Sequence, residues 1–347
     1  MSIFNHILSS RMIDVENQIH LGILGSGMIV NDLFRFIYDI KEYQIEGICA
    51  RNKEKLELLA KENKIPRIYT DYDEMLENKD IDTIYVAVPN HLHYSMCKKA
   101  LEKGKNVICE KPFTSNSKEL KKLMALAEEK QLILVEAITN QYLENYLDIK
   151  KNLDKLGRIK IVECNFSQYS SRYNAFKQGE ILPAFDVNKS GGALMDLNVY
   201  NIHFVVGLFG KPMQDQYLAN IEKGIDTSGI LMMDYGTFKC VCIGAKDCKA
   251  PLSSNIQGDL GCIHLDKQVS VCSSYDLILN DGSKTTINLN QANHRMYNEF
   301  KQFSLMLLNK DYEYVSKQLN HSLMVMEVID QAKASANLAF KADQDVL

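Results

Sequence analysis

Short apolar runs alternate with amphipathic segments over the first 140 residues of the chain. This periodicity predicts strands at 19–24, 44–50, 67–69, 82–88, 105–110 and 132–137. It also predicts helices at 27–40, 52–63, 71–77, 91–103 and 116–130. Apolar strands that alternate with helices are typical of a parallel sheet with both faces covered. The first half is therefore predicted to be a doubly wound α/β domain.

The pattern changes after about residue 140. Helices are predicted at 141–154, 193–209, 294–309 and 312–340, with a strand at 158–170. From 213 to 289 only strands and turns are predicted, and Asn280-Asp281-Gly282 indicates a hairpin. Consecutive strands without crossover helices favour an α+β domain with a large, open, mostly antiparallel sheet. Few helices remain to cover it, so we expect one face to be buried in a homodimer or homotetramer.

The chain is divided into an N-terminal extension at 1–17, a first domain at 18–137 and a second domain at 138–347. A net charge of −4, with the basic residues dispersed, does not favour nucleic acid or an anionic membrane as a partner. The extension does not resemble a signal peptide, and no apolar run approaches the roughly 18 residues of a spanning helix. The nine cysteines are scattered and lack zinc spacing. We expect no metal site and a reduced, cytoplasmic protein.

A glycine-rich turn, Gly22-Ile-Leu-Gly25-Ser-Gly27, follows the first predicted strand. Gly25 permits a tight turn, Gly27 lets the backbone approach a pyrophosphate, and the next helix offers its N-terminal amides to that charge. The residues predicted to contact a dinucleotide here are Gly25, Ser26, Gly27, Met28 and Ile29. Val30 stands where the fingerprint usually has a small residue, so an ordinary strand–helix turn is the alternative.

The end of the second predicted strand bears on the choice between NADP and NAD. NAD sites usually place an acidic residue there to accept from the ribose hydroxyl, whereas this chain has Cys49-Ala50-Arg51-Asn52. Arg51 is suited to a 2′-phosphate or to stacking on adenine, and Lys55 follows on the helix. We therefore expect NADP in preference to NAD. An exposed arginine at a helix start is the alternative.

Two further strands end in polar residues at the edge where doubly wound folds bind ligands. Val88, Pro89, Asn90 and His93 follow the fourth strand and are expected to border the nicotinamide ribose, although His93 is also suited to capping a helix. Glu110 and Lys111 end the fifth strand. Pro112 cannot extend the ladder, so Lys111 is expected at the ligand-bearing edge. Its ammonium there would stabilise negative charge on a substrate oxygen, and Glu110 would anchor the cofactor amide or the strand end.

The predicted helix after Gly191-Gly192 carries Asp196, Tyr200 and His203 at spacings of i, i+4 and i+7, which places them on one face. Tyr200 is suited to give and take the proton of an alcohol–ketone couple, with Lys111 favouring its phenolate. Asp196 would orient the substrate or the lysine. A hydrogen-bonded tyrosine beside a solvated aspartate is the alternative reading.

These motifs together resemble the glucose–fructose oxidoreductase and inositol dehydrogenase family, called Gfo/Idh/MocA, from residue 19 to 340. The resemblance implies a Rossmann domain followed by an α/β domain with a large open sheet, and dimers or tetramers formed through that sheet. It implies oxidation or reduction of sugars, cyclic polyols or related compounds with NAD or NADP. Lys111 matches the lysine of the family's Glu-Lys-Pro motif, and Asp196 matches its helix aspartate.

Many sugar and inositol members have histidine where this chain has Tyr200. The tyrosine resembles the branch of dihydrodiol and sugar dehydrogenases that use NADP. Asn198, His203 and Val30 depart from the family pattern, so the substrate cannot be carried over from it. We expect an NAD(P)-dependent dehydrogenase or reductase that needs no metal. A cofactor-binding sensor without turnover is the alternative.

Overall fold

A computed structural model describes residues 18–344. The extension at 1–17 and its boundary therefore lie outside the described residues. Within them the chain forms one six-stranded sheet and one eight-stranded sheet, which confirms the predicted fold class.

The first sheet is parallel throughout, with its strands in the order β3-β2-β1-β4-β5-β6. Its strands are Ile19–Leu24 (β1), Tyr43–Cys49 (β2), Ile68–Tyr69 (β3), Thr83–Val86 (β4), Asn106–Glu110 (β5) and Leu134–Ala137 (β6). This order reverses direction between β1 and β4, and such a switch point is where open α/β sheets bind ligands.

Five helices connect these strands: Met28–Leu33 (α1), Lys53–Asn63 (α2), Tyr72–Glu77 (α3), His93–Glu102 (α4) and Ser117–Lys130 (α5). The side chains of Asp71 and Asn116 cap α3 and α5, each accepting from a backbone amide in the first turn. Four of the five helices lie close to their predicted bounds, because caps and periodicity are local signals.

The predicted helix at 27–40 is wrong in its extent, since α1 ends at Leu33. The chain then buries Phe36, whose ring stacks on His294 at a centroid distance of 4.6 Å and meets Phe300 edge-on at 5.5 Å. Those partners come from the far end of the sequence. Tertiary packing therefore overrides the local periodicity here.

The second sheet has the order β14-β13-β12-β11-β7-β10-β9-β8. Its strands are Ile159–Ser167 (β7), Gln214–Glu222 (β8), Ile225–Asp234 (β9), Lys239–Ala245 (β10), Ser254–Gly258 (β11), Gly261–Leu265 (β12), Tyr275–Leu279 (β13) and Lys284–Ile287 (β14). Neighbouring strands are antiparallel except β7 and β10. The predicted hairpin joins β13 to β14, where Gly282 has a φ of +87°.

The remaining helices are Glu144–Asn152 (α6), Tyr173–Lys177 (α7), Val199–Phe209 (α8), Tyr297–Asn309 (α9), Tyr312–Ser335 (α10) and Lys341–Gln344 (α11). The short α7 lies between the predicted strand at 158–170 and the predicted helix at 193–209, where no element was predicted. Helix α10 ends at Ser335, before the predicted residue 340. A π-helical turn, Leu194–Asn198, precedes α8. The segment Val187–Phe209 is long and apolar enough for a membrane span, but 67% of its apolar window is buried inside the protein, as in a core helix.

The last long helices return to the first domain. The Tyr43 hydroxyl donates to the carbonyl of Phe300 in α9 at 2.9 Å, and the Lys333 ammonium of α10 donates to the carbonyl of Ser115 at 2.9 Å. These contacts hold the two sheets in one arrangement and leave a cleft between them.

Candidate active site

The backbone of the glycine turn after β1 is shaped so that a ligand can approach it closely. Gly25 has a φ of +129°, and an added Cβ there would lie 2.2 Å from the carbonyl oxygen of Ala87. An added Cβ on Gly27 would meet nothing within 4 Å, so open space faces the chain at this point. The departure at Val30 is accommodated because that side chain is fully buried. The turn therefore fits a pyrophosphate bound by main-chain amides.

A cleft of about 1290 Å³ runs from this turn to the second domain. All the predicted cofactor and catalytic residues line it: Gly25, Ser26, Gly27, Met28, Ile29, Arg51, Val88, Pro89, Asn90, His93, Glu110, Lys111, Asp196 and Tyr200. The individual roles given to these residues remain predictions. A cleft of this size with a glycine cradle at one end suits an extended dinucleotide.

Lys111 lies at the floor of the cleft, at the end of β5. Its side chain is 15% exposed, and its ammonium donates to the carbonyl oxygen of Asp196 at 2.9 Å and to the carboxylate at 3.2 Å. Burial alone would lower the pKa of Lys111, but the acidic groups around it, Asp196 and Glu110 among them, outweigh burial and raise it above its usual value. The surroundings of Lys111 therefore favour its protonated form.

Tyr200 lies beside that cation, in the first turn of α8. The Lys111 ammonium is 4.7 Å from the centroid of its ring, within the range of a cation–π contact. No hydrogen bond to the Tyr200 hydroxyl is present among residues 18–344. The hydroxyl is therefore available to a molecule bound in the cleft.

Asp196 is held by two lysines. One carboxylate oxygen is 3.2 Å from the Lys111 ammonium, and the other is 2.9 Å from the ammonium of Lys246. Burial would raise the pKa of Asp196, but the two cations hold it well below its usual value. The π-helical turn that carries Asp196 is a form of backbone often found at functional sites.

His93 and Asn90 hold the backbone around the cleft. The buried ring of His93 places one nitrogen 2.8 Å from the Pro112 carbonyl and the other 2.9 Å from that of Val88, and burial lowers its pKa. The Asn90 amide donates across the cleft to the Ser190 carbonyl at 2.8 Å. Both side chains therefore bind main-chain carbonyls of neighbouring strand ends and loops.

Glu110 is also committed to the protein. The Tyr85 hydroxyl donates to its carboxylate at 2.5 Å, and burial raises its pKa although Tyr85, Lys111 and Arg295 oppose that rise. Of the two roles expected from the sequence, this contact favours support of the strand end.

His203 does not share the cleft with Asp196 and Tyr200. Its ring is 1% exposed, with one nitrogen 3.5 Å from the Glu136 carboxylate and the other 2.9 Å from His321. Glu136 in turn accepts from the amide of Phe113 at 3.0 Å. His203 is therefore connected through Glu136 to Phe113, the residue that follows Lys111 and Pro112.

Several polar residues that line the cleft or contact its lining were not identified from the sequence. Arg295 lines the cleft, with its guanidinium 3.2 Å from the Thr139 hydroxyl and 3.6 Å from the Asp32 carboxylate, and Arg172 lines it from the second domain. Lys246 follows β10 and resembles any turn lysine in sequence. No local signal identifies these residues, because each reaches the site through tertiary packing.

Comparison with known proteins identifies the family. A family model described as an oxidoreductase family with an NAD-binding Rossmann fold, GFO_IDH_MocA, matches residues 19–138. The uncharacterised oxidoreductase YgjR of Escherichia coli K12 is 32% identical over 250 residues, which cover 72% of this chain and 76% of YgjR. This chain belongs to the Gfo/Idh/MocA oxidoreductase family.

Other relatives of this Gfo/Idh/MocA protein have named activities. The NADP-dependent scyllo-inositol 2-dehydrogenase IolU of Bacillus subtilis is 29% identical over 329 residues, 94% of this chain and 99% of IolU. The trans-1,2-dihydrobenzene-1,2-diol dehydrogenase of Mus musculus is 26% identical over 318 residues, 88% of this chain and 85% of the mouse enzyme. KijD10, a 3-ketoreductase from Actinomadura kijaniata solved with NADP and TDP-benzene, has a TM-score of 0.80 at 18% identity and shares the fold over 92% of this chain and 98% of its own.

Family membership confirms the expectation of an NAD(P)-dependent dehydrogenase or reductase acting on CH–OH groups. It gives no support to a sensor without turnover. The nicotinamide cofactor, when bound, supplies or accepts the hydride. Among residues 18–344 no group of three or more His, Cys, Asp or Glu side chains could hold a metal ion.

Replacement of the cleft lysine is the direct test of the site. Lys111→Met removes the ammonium and keeps the apolar stem, so turnover should fall by at least about 100-fold, as for loss of a group that stabilises developing charge. Cofactor binding, followed by quenching of nicotinamide fluorescence, should persist because the glycine turn is untouched. Lys98→Met, on the exposed side of α4, is the control and should retain full turnover. Unchanged turnover in Lys111→Met would rule out the role of the lysine.

Proposed function

We propose that this protein is an NADP-preferring dehydrogenase or reductase of sugar-like, cyclic polyol or dihydrodiol substrates. The observation that carries the proposal is the meeting of the Lys111 ammonium, the Tyr200 phenol and the Asp196 carboxylate in the cleft that begins at the glycine turn. Residues 18–137 would bind the cofactor, and residues 138–347 would bind the substrate and form the oligomer.

In the oxidative direction, the substrate hydroxyl would lose its proton to the Tyr200 oxygen, written as phenolate. The carbon would lose its hydrogen as hydride, which the nicotinamide, when bound, would accept, so that the carbon–oxygen double bond forms. The Lys111 ammonium donates a hydrogen bond to the same substrate oxygen and stabilises its negative charge on the way to the carbonyl. In the reductive direction Tyr200 returns the proton. Asp196 fixes the position of Lys111 in both directions.

The substrate class is supported by the donors around the cleft and by the relatives. Arg172 and Arg295 line the cleft together with Lys111, so two guanidinium groups and an ammonium can donate hydrogen bonds there. Several such donors suit a molecule with several hydroxyls. IolU is named for scyllo-inositol and the mouse relative for a cyclic diol.

A panel of substrates tests this assignment. The purified protein should oxidise at least one cyclic polyol or vicinal diol, among scyllo-inositol, myo-inositol and trans-dihydrobenzenediol, with NADP⁺. Reduction of the matching ketones with NADPH covers the reverse direction. Turnover confined to acyclic aldehydes would contradict the proposed substrate class, and absence of turnover with bound cofactor would contradict the enzyme itself.

The preference for NADP rests on the residues after β2. Arg51 and Lys55 line the cleft where the sheet would meet the adenosine ribose, and Glu54 is the acidic residue beside them. The strand ends at Cys49 and is followed by Ala50, so no carboxylate stands at the usual NAD position.

Arg51→Ala should weaken NADP binding by roughly 10- to 100-fold, the range expected for losing a hydrogen bond to a charged group. Affinity for NAD should change little, because NAD lacks the 2′-phosphate. Titrations of both cofactors measure the two effects, with Lys53→Ala on the exposed side of α2 as the control. An equal loss for both cofactors would mean that Arg51 does not contact the phosphate.

The homo-oligomer is proposed to form through the open face of the second sheet. Leu218 pairs with Ile230, and Ile230 pairs with Ile243, so the three side chains lie side by side on one face. Leu218 is 52% and Ile230 is 41% exposed, and Ile161 and Met232 are exposed on the same face. An apolar patch of this kind usually marks an interface.

Leu218→Glu combined with Ile230→Glu should convert the oligomer to monomers, because it places charges in the proposed contact. Sedimentation velocity measures the change, and Leu58→Glu, at an exposed position of α2, should leave the assembly intact. An unaltered assembly in the double variant would mean that another surface forms it.

A cytoplasmic location is also proposed. All nine cysteines are free, and Cys240 and Cys242 remain thiols with their sulfur atoms 4.0 Å apart, as suits a reducing compartment. Fractionation of source cells is the test, and recovery of the protein from an oxidising compartment would contradict the proposal.

A further inference from the structure

Lys246 is a buried lysine without a role in the chemistry proposed above. It follows β10 directly, and its side chain is 2% exposed. A buried ammonium is costly unless it is paired and hydrogen-bonded, so the contacts of this side chain indicate why it is retained in the fold.

Three contacts surround the Lys246 ammonium. It lies 2.9 Å from the Asp196 carboxylate oxygen that faces away from Lys111. It donates to the carbonyl of Ala184 at 2.5 Å, and it lies 4.4 Å from the centroid of the Phe185 ring. The lysine therefore joins the carboxylate of the candidate active site to the segment that precedes Gly191.

That segment is also bound to Asn90, a residue that lines the cleft. The carbonyl of Ser190 accepts from Asn90, and the Ser190 hydroxyl is 2.7 Å from the Ser115 hydroxyl. An added Cβ on Gly191 would lie 2.7 Å from the Pro183 carbonyl oxygen, so the backbone is closely packed here. Lys246 thus fixes both Asp196 and the segment beside it.

The charges of the site give the second argument. A single carboxylate beside Lys111 would form a neutral pair and weaken the field that the ammonium exerts on a substrate oxygen. Lys246 places a second cation on the other side of Asp196, 2.9 Å from its carboxylate, and so offsets the negative charge of that group. Asp226 also faces Lys246 from β9; burial raises its pKa to about 6, so it is still mostly ionised near pH 7, but its carboxylate is engaged by the amide of Leu194 and the hydroxyl of Tyr217.

We propose that Lys246 is a positioning residue for the reaction, which acts through Asp196. It holds the carboxylate so that its other oxygen fixes Lys111, and it offsets the negative charge of Asp196, so that the Lys111 ammonium stays effective towards substrate. The inference rests on the proposed function, because it concerns the same site.

Lys246→Met should lower kcat by roughly 10- to 100-fold, the range for loss of a hydrogen bond to a charged group, while the affinity for NADP stays the same. In an Asp196→Asn background the same replacement should cost no further kcat, because the residue through which it acts is gone. A purely structural lysine would give equal losses in both backgrounds, which would overturn the inference, as would an unchanged kcat in the single variant.

A second readout does not depend on turnover. Carboxyl ¹³C NMR, with the Asp196 signal assigned from Asp196→Asn, should show Asp196 of the Lys246→Met protein titrating at higher pH than in the wild type. An unchanged titration would overturn the inference. If Lys111→Met abolishes turnover but Lys246→Met changes neither kcat nor the Asp196 titration, only the inference about Lys246 fails. If the wild type has no turnover, the proposed function fails, and the NMR titration still shows whether Lys246 contacts Asp196.

Two milder variants guard against misfolding. Lys246→Gln keeps a donor without the charge and should also lower kcat. Phe185→Leu leaves the ammonium in place but removes the aromatic face against it, so a smaller loss of kcat is expected. Full kcat in either folded variant would contradict the role assigned to Lys246.

Discussion

A lysine ammonium inside a cleft requires acidic partners, and this requirement links the two domains. Lys111 directly follows strand β5 of the first sheet, whereas Asp196 lies in a helical turn of the second domain. Their contact forms only when both domains pack as they do here. The same contact brings the ring of Tyr200 beside the ammonium, so the arrangement of the domains determines the chemistry of the cleft.

Much of the surrounding polar structure keeps that strand end in place. His93 lies between the carbonyls of Val88 and Pro112, and Glu136 accepts from the amide of Phe113. Cofactor contacts are expected mainly from the main chain of the glycine turn, whereas the groups proposed to meet substrate are side chains from both domains. Such a division allows relatives to keep one cofactor domain and to differ in substrate.

The sequence was sufficient where the relevant signals are local. Periodicity located all six strands of the first sheet, and the glycine turn and Lys111 were found because a strand end places its residues at the ligand-bearing edge. The sequence was not sufficient where a residue's contact partner is distant along the chain. Helix α1 ends early because Phe36 packs on His294, His203 turns away towards Glu136, and Lys246 reaches Asp196 across fifty residues of chain that no local pattern connects.

The account depends on Lys111 and Tyr200 acting on the same substrate oxygen. A double-mutant cycle with Lys111→Met and Tyr200→Phe, read as kcat/KM under single-turnover conditions, tests this dependence directly. Residues that act as a unit are strongly non-additive, so the double variant should be about as slow as the slower single variant. Losses that multiply would show that the two groups work independently, and would contradict a shared site.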